Sequence, residues 1–252
     1  MPLFLGETLI SDVVISAGGI PYVYQDSNGY VVIGKNGPSP TPILNSILDR
    51  SFAGVYSNHE LTTIGSYAFY GCSGLVEVDL PNVETINSSG LSSTGLTKVF
   101  LPKFRKALNN HPFSYNTSLV TIVLPAVNMT SSPNYFCTNC RALTTIDVGA
   151  LDDTGTIYFS GNSFSSCSSL NKLIFRKTTG IATIGTATMS GTPFADGGSG
   201  GTIYVPSALK STYESNTNWS AVLARTNNSI TTIEGSQYEN YYADGTPIPS
   251  AT

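Results

Sequence analysis

Cys137 and Cys140 enclose two residues (Cys137-Thr138-Asn139-Cys140), the spacing of redox dithiols and of half a zinc site. Zinc would need two further ligands, yet the only histidines, His59 and His111, lie elsewhere and apart. Asp152-Asp153 could help to hold a cation, but two adjacent carboxylates without a ligand loop read as a solvated turn. Gly197-Gly198-Ser199-Gly200-Gly201 is rich in glycine but precedes a strand pattern instead of opening a helix, so it is an inserted turn and not a phosphate cradle. No G-x-S-x-G, H-E-x-x-H or phosphate loop occurs. The chain therefore reads as non-enzymatic, with no metal and no cofactor expected.

Composition bounds what else it can be. Hydrophobic residues make up 40% of the 252, enough for a continuous core, whereas charged residues are only 11%. Ser, Thr, Asn and Gly take their place, which suits a β-rich protein working outside a cell. A net charge of −4 leaves no basic face for nucleic acid. No apolar run reaches the length of a membrane span. The opening Met1-Pro2-Leu3-Phe4-Leu5-Gly6-Glu7 shows no secretory signal. Asn87, Asn116, Asn128, Asn218 and Asn227 match the glycosylation sequon, a pattern this composition produces by itself.

The elements that would position any site come from a repeat. Leu75-Val76-Glu77-Val78-Asp79-Leu80-Pro81 returns as Leu96–Pro102 and Leu119–Pro125. Weaker copies open at Leu143 and Leu170, and Gly200–Pro206 keeps the strand without its leading leucine. The intervals are 21, 23, 24, 27 and 30 residues, so later copies carry insertions. Six residues before the leading position stand Phe69, Phe113, Phe164 and Phe194; three before it stand Cys72, Asn116, Cys140 and Cys167. Each copy reads as one coil whose alternating stretch is a short strand ended by proline. Strands stack as a parallel sheet, and each coil buries its apolar edge against its neighbours. The phenylalanines are expected to form an internal stack, and the Cys/Asn column to fill a tight inner turn as small buried groups. Cys137 then falls off the register.

These residues resemble the BspA-like leucine-rich repeats, with Ile64-Gly65-Ser66-Tyr67-Ala68-Phe69-Tyr70-Gly71-Cys72-Ser73-Gly74-Leu75 as the best copy. The resemblance implies a curved right-handed solenoid over about residues 61–206. It also implies company among bacterial surface adhesins and proteins of gut-bacterial phages and prophages. The stretches Leu3–Val13 and Tyr204–Trp219 are similar to segments of phage tail-type structural proteins, which directs the reading toward a virion.

The expected fold class is thus a β-rich leucine-rich-repeat solenoid with an N-terminal β-hairpin segment and a helical C-terminal cap. Residues 1–36 form a β-rich attachment segment, with a hairpin about Asp26-Ser27-Asn28-Gly29. Residues 37–60 hold an extended linker and a capping helix opening at Thr41-Pro42. The solenoid fills 61–206, and the cap, 207–234, starts a helix at Ser207 and uses Trp219 as an anchor. An irregular tail occupies 235–252.

The outward strand columns carry the partner expectation. One reads Asp79, Phe100, Val123, Asp147, Ile174, Tyr204; beside it run Glu77, Lys98, Thr121, Thr145, Lys172 and Thr202. Two readings stand together: lateral stacking of good strand formers, or a recognition face. On the second, Phe100, Val123, Ile174, Tyr204, Lys98 and Lys172 are the candidate contacts. The expected partners are other virion proteins and a host-surface protein or glycan, with a second copy of the chain also admitted. No nucleic acid or membrane insertion is expected, and the place is a virion or extracellular surface. A bacterial cell-surface adhesin module is the alternative.

Overall fold

The computed structural model describes residues 3–5, 8–10, 23–25, 31–33, 54–57, 61–130, 134–149, 155–185, 187–225 and 227–233. The hairpin turn at 26–29, the linker, the Thr41 helix, His59, Asp152-Asp153 and the tail lie outside these residues.

The chain winds as a β-solenoid of about 6 turns. Each coil contributes a tight turn and a longer strand, preceded by a short strand in every coil but the one that ends in β12. The short strands β6 (Thr63–Ile64), β8 (Thr85–Ile86) and β10 (Lys106–Ala107) form one parallel rail, and β13 (Tyr158–Phe159) and β15 (Thr183–Ile184) another. The longer strands are β7 (Leu75–Asp79), β9 (Lys98–Phe100), β11 (Thr121–Leu124), β12 (Thr145–Val148), β14 (Lys172–Phe175) and β16 (Thr202–Pro206). From β9 to β16 they pair in parallel, and β17 (Ser229–Ile233) adds a further parallel strand. Val99, Ile122, Ile146, Leu173 and Ile203 pair as one row, and all are fully buried. Each contributes about 1.5–3 kcal/mol by leaving water.

At the N-terminal edge, β1 (Leu3–Leu5) and β2 (Thr8–Ile10) pair antiparallel, as do β3 (Val23–Gln25) and β4 (Val31–Ile33). β4 runs parallel to β5 (Gly54–Ser57), and β5 to β7. The hairpin strands therefore continue the sheet of the first coil.

Backbone bonds across the turns fix which residues are equivalent. Phe69 N donates to Gly90 O, Leu91 N to Pro112 O, Phe113 N to Phe136 O, Cys137 N to Ser163 O and Phe164 N to Thr188 O. The inner column is thus Phe69, Leu91, Phe113, Cys137, Phe164 and Met189. This corrects two expectations. Cys137 is in register, filling the phenylalanine place of its coil, and Phe194 is not, because its coil carries five extra residues between turn and strand. Phe194 is buried all the same, and lies so close under Gly201 that a Cβ there would sit 2.5 Å from its ring.

With Leu91, Cys137 and Met189 in the column, the register phenylalanines cannot stack on one another alone. Phe104, Phe136 and Phe159, from other positions, complete the series: Phe104–Phe113 5.8 Å, Phe113–Phe136 5.2 Å, Phe136–Phe159 5.3 Å and Phe159–Phe164 4.7 Å between centroids.

The Cys/Asn column is Cys72, Thr94, Asn116, Cys140, Cys167 and Thr192, and it does more than fill space. Asn116 Nδ2 donates to Leu91 O (2.8 Å), Cys140 Sγ to Phe113 O (3.1 Å) and Cys167 Sγ to Cys137 O (2.9 Å). Each reaches back to the inner-column carbonyl of the preceding coil. The position needs a short donor, which is why asparagine can replace cysteine there. A hydroxyl column reaches forward instead: Ser92 Oγ donates to His111 O, Ser114 Oγ to Tyr135 O (2.6 Å) and Thr138 Oγ1 to Asn162 O (2.8 Å).

The C-terminal cap is a 3-10 turn (Ser207–Leu209) followed by α1 (Lys210–Ser215) and α2 (Thr217–Leu223). Ser207 makes no capping bond; the capping side chain is Asn216, which accepts from Asn218 N and Trp219 N. Trp219 Nε1 donates to Ala182 O (2.6 Å), Asn218 Nδ2 to Ile184 O (2.6 Å), and Ala182 N to the Tyr213 hydroxyl (2.8 Å). The cap thereby satisfies the outer edge of β15 with side chains. Burial raises the Tyr213 hydroxyl above the ordinary tyrosine range, so it stays protonated.

Candidate functional site

The outward side of the long-strand sheet is built by alternation: when Ile122 or Leu173 points inward, its neighbours point out. The register brings Lys98, Thr121, Thr145, Lys172 and Thr202 into one row and Phe100, Val123, Asp147, Ile174 and Tyr204 into the next. Exposure along the second row is uneven. Phe100, Ile174 and Tyr204 are half-buried, whereas Val123 and Asp147 are only 3% exposed.

The middle of the row is therefore not open to a partner, which removes Val123 from the candidate contacts. Asp147 is engaged from within the chain: Arg176 Nε donates to its Oδ1 and Nη2 to its Oδ2, both at 2.8 Å. Arg176 is itself 8% exposed, so this is an interior ion pair lying across the face.

The open part lies toward the C-terminal end. Lys172 Nζ sits 5.7 Å from the centre of the Tyr204 ring, a cation–π contact. Beside this pair Asn171, Ser199, Gly200, Gly201, Thr202 and Asn227 line a depression of about 340 Å³. Its walls carry amides, hydroxyls, one ammonium and one ring, an arrangement that can donate and accept hydrogen bonds and stack against a ligand. Ile174 adds apolar contact beside it.

The thiols lie inside. Cys72, Cys137, Cys140 and Cys167 are free and buried, and Cys167 is within hydrogen-bonding reach of both Cys137 and Cys140. Burial pushes the Cys137 and Cys140 thiols well above the ordinary range, which keeps them protonated and unreactive. No group of three metal-ligating side chains with suitable geometry occurs among the described residues. No helix among them is long and apolar enough to cross a membrane.

A second surface carries groups that the strand pattern did not mark. At the turns, Tyr67, Ser89, His111, Tyr135 and Asn162 form one column and Gly71, Ser93, Tyr115, Asn139, Ser166 and Gly191 another, all at φ between 53° and 74°. His111 and Tyr135 stack with centroids 4.8 Å apart and planes 5° apart, and Tyr115 lies 6.0 Å from His111. Burial lowers the His111 pKa, so its ring is neutral at pH 7.

A family model described as BspA type leucine rich repeat region matches in 6 copies, over residues 48–163 and 108–215. Among solved structures, a leucine-rich repeat protein from Bacteroides ovatus is similar at 12% identity, over 90% of this chain and 79% of that chain, with a TM-score of 0.28. Among curated proteins, none matches the chain.

Proposed function

The chain belongs to the BspA-type leucine-rich-repeat family, and on that premise we propose that it is a non-catalytic binding module on the surface of a phage virion. It meets a protein partner through the C-terminal half of its outward sheet face. The observation that carries this reading is the Lys172–Tyr204 pair above an open polar depression, with the half-buried Ile174 alongside. Solenoids present extended surfaces of this kind, and binding on them depends on a few aromatic anchors. Phe100 and Lys98 extend the face toward the N-terminal coils. Residues 1–36 serve to attach the module to its assembly.

The test replaces Phe100 and Tyr204 together with serine and measures binding to particle proteins and host cells. Binding falls at least tenfold while circular dichroism and melting stay unchanged. Unchanged binding overturns the proposed face. Mass spectrometry of purified particles places the protein in the virion; recovery from the cell wall instead establishes the alternative, a bacterial cell-surface adhesin module using the same face.

A further inference from the structure

The turn surface presents a chemistry different from that of the sheet. Its turn positions are the two left-handed columns together with the residues just before each; Ser89, Ser92, Ser114 and Thr138 among them are buried, whereas Tyr67 and Tyr115 are exposed. Among the described residues these positions, with Ala187 at the sixth place of the first column, hold Ser, Thr, Asn, Gly, Tyr, His and one alanine, without a single Asp, Glu, Lys or Arg. Nor do they hold Leu, Ile, Val or Met. Tyr67 is 47% exposed and Tyr115 48%; His111 and Tyr135 are half-buried, with His111 between Tyr115 and Tyr135.

Protein interfaces are enriched in aromatic groups together with methionine and arginine, and their charges steer encounter and fix register. This surface offers aromatic faces set among hydroxyls and carboxamides. The matching ligand has apolar C–H faces, many hydroxyl groups and no charge. That is the description of a neutral sugar.

The hydrogen bonds sharpen the match. Ser114 commits its hydroxyl proton to Tyr135 O, so its oxygen accepts from His111 Nδ1–H at 3.2 Å. The neutral imidazole keeps its Nε2 lone pair for a hydroxyl donor. Exposed Asn110 and Asn134 flank His111 and Tyr135 in the chain and carry both donors and acceptors.

The backbone adds an independent argument. A tyrosine at φ near +60° is uncommon, since glycine, asparagine and histidine adopt that state more readily. Asn139 and Asn162 fill the same two columns in the next coils at φ 59° and 61°. The fold therefore accepts the less costly residue, and the tyrosine rings at 67, 115 and 135 are there for what they face. Coils repeat at the strand spacing of about 4.7–4.9 Å, a rise comparable to one sugar unit in an extended chain.

We propose that the turn face formed by Tyr67, His111, Tyr115 and Tyr135 is a binding platform for a neutral polysaccharide, several sugar units lying along the solenoid axis. It is separate from the sheet face and does not depend on it. Contacts repeated from coil to coil would make binding strengthen with ligand length.

The test is affinity electrophoresis of the full chain in gels containing mixed-linkage β-glucan, dextran, yeast mannan or, as a charged control, polygalacturonate. At least one neutral polymer retards the protein, and the retardation is lost at least tenfold in the double variant His111→Asn, Tyr115→Asn. Tyr204→Ser is retarded like the parent, which separates this face from the sheet. Should the double variant melt well below the parent, Tyr67→Asn in the first coil replaces it and must weaken retardation alone. Four results overturn the proposal: no retardation by any neutral polymer, equal retardation of parent and variants, retardation by the charged polymer only, or loss of a protein partner as the sole effect of the substitutions.

Discussion

Arg176 holds Asp147 from the next coil with two parallel bonds of 2.8 Å, across the outward face of the sheet and almost out of solvent. A fork of this geometry fixes both planes and clamps β12 to the segment after β14. Its worth lies in the pairing, since either charge alone would be stranded in a desolvated place.

Removing one partner should therefore be costly and removing both much less so. Arg176→Ala is expected to lose about 3–5 kcal/mol, while the double variant Asp147→Leu, Arg176→Met returns to within about 1–2 kcal/mol of the parent. Urea titrations of the four proteins of the cycle check this; additive losses would show that the two side chains act separately.

Asn116 makes the second test. It accepts from Thr94 N (2.6 Å) and Thr94 Oγ1 (2.8 Å) and donates to Leu91 O and Phe113 O. Asn116→Ala leaves several buried groups without partners, at about 1–3 kcal/mol for each. Asn116→Cys, which copies Cys140 and Cys167, keeps a donor for the Leu91 carbonyl and should be the milder change in denaturant melts. A cysteine variant as damaging as the alanine would remove the donor role of this column.

These columns also show how much was legible beforehand. The coil repeat, the strand register and both outward rows follow from side-chain type, because a position that must be apolar or must be a short donor accepts few residues. Coil two was harder: Leu91 and Thr94 stand one residue closer to their strand, and Gly95 absorbs the difference, since a Cβ there would lie 2.1 Å from Ser73 O. The turn columns left no such mark. They select a backbone state, and Tyr, His, Ser, Asn and Gly all meet it with help from the hydroxyl ladder. The Arg176–Asp147 pair was equally hidden, because a charge in an outward column looks like a solvated one until its partner is placed.

The cap carries the third prediction. Phe175, Tyr213 and Trp219 pack together, with Phe175–Trp219 centroids 5.3 Å apart. Trp219→Ala should cost about 3–5 kcal/mol through the cavity left behind. Tyr213→Phe should cost only about 1–3 kcal/mol, from the unpaired Ala182 N–H. Hydrogen exchange checks the location: in the phenylalanine variant the Ala182 amide exchanges faster while amides of β11 do not.

His111 supplies a pH signature. Its folded pKa lies below the ordinary 6.5 because burial disfavours the charged ring. The unfolded chain then takes up the proton first, so the contribution of this group is complete above about pH 6.5 and lost as pH falls toward the lowered folded value. Melting temperatures of parent and His111→Asn, compared at pH 7.5 and 5, should show the parent losing slightly more on acidification. An equal loss in the two proteins would remove the assignment.

On its short-strand side the last coil ends in side chains. Tyr213, Asn218 and Trp219 occupy the places where a further strand would offer its amides and carbonyls to Ala182 and Ile184. An uncovered parallel edge is a template, and identical chains stacking on it would lengthen into a filament. With the hydrogen-bonding groups of Ala182 and Ile184 already taken, a second molecule finds nothing there to copy. The two short helices thus act as a stop on the short-strand rail, while the long-strand sheet runs on by one strand into β17.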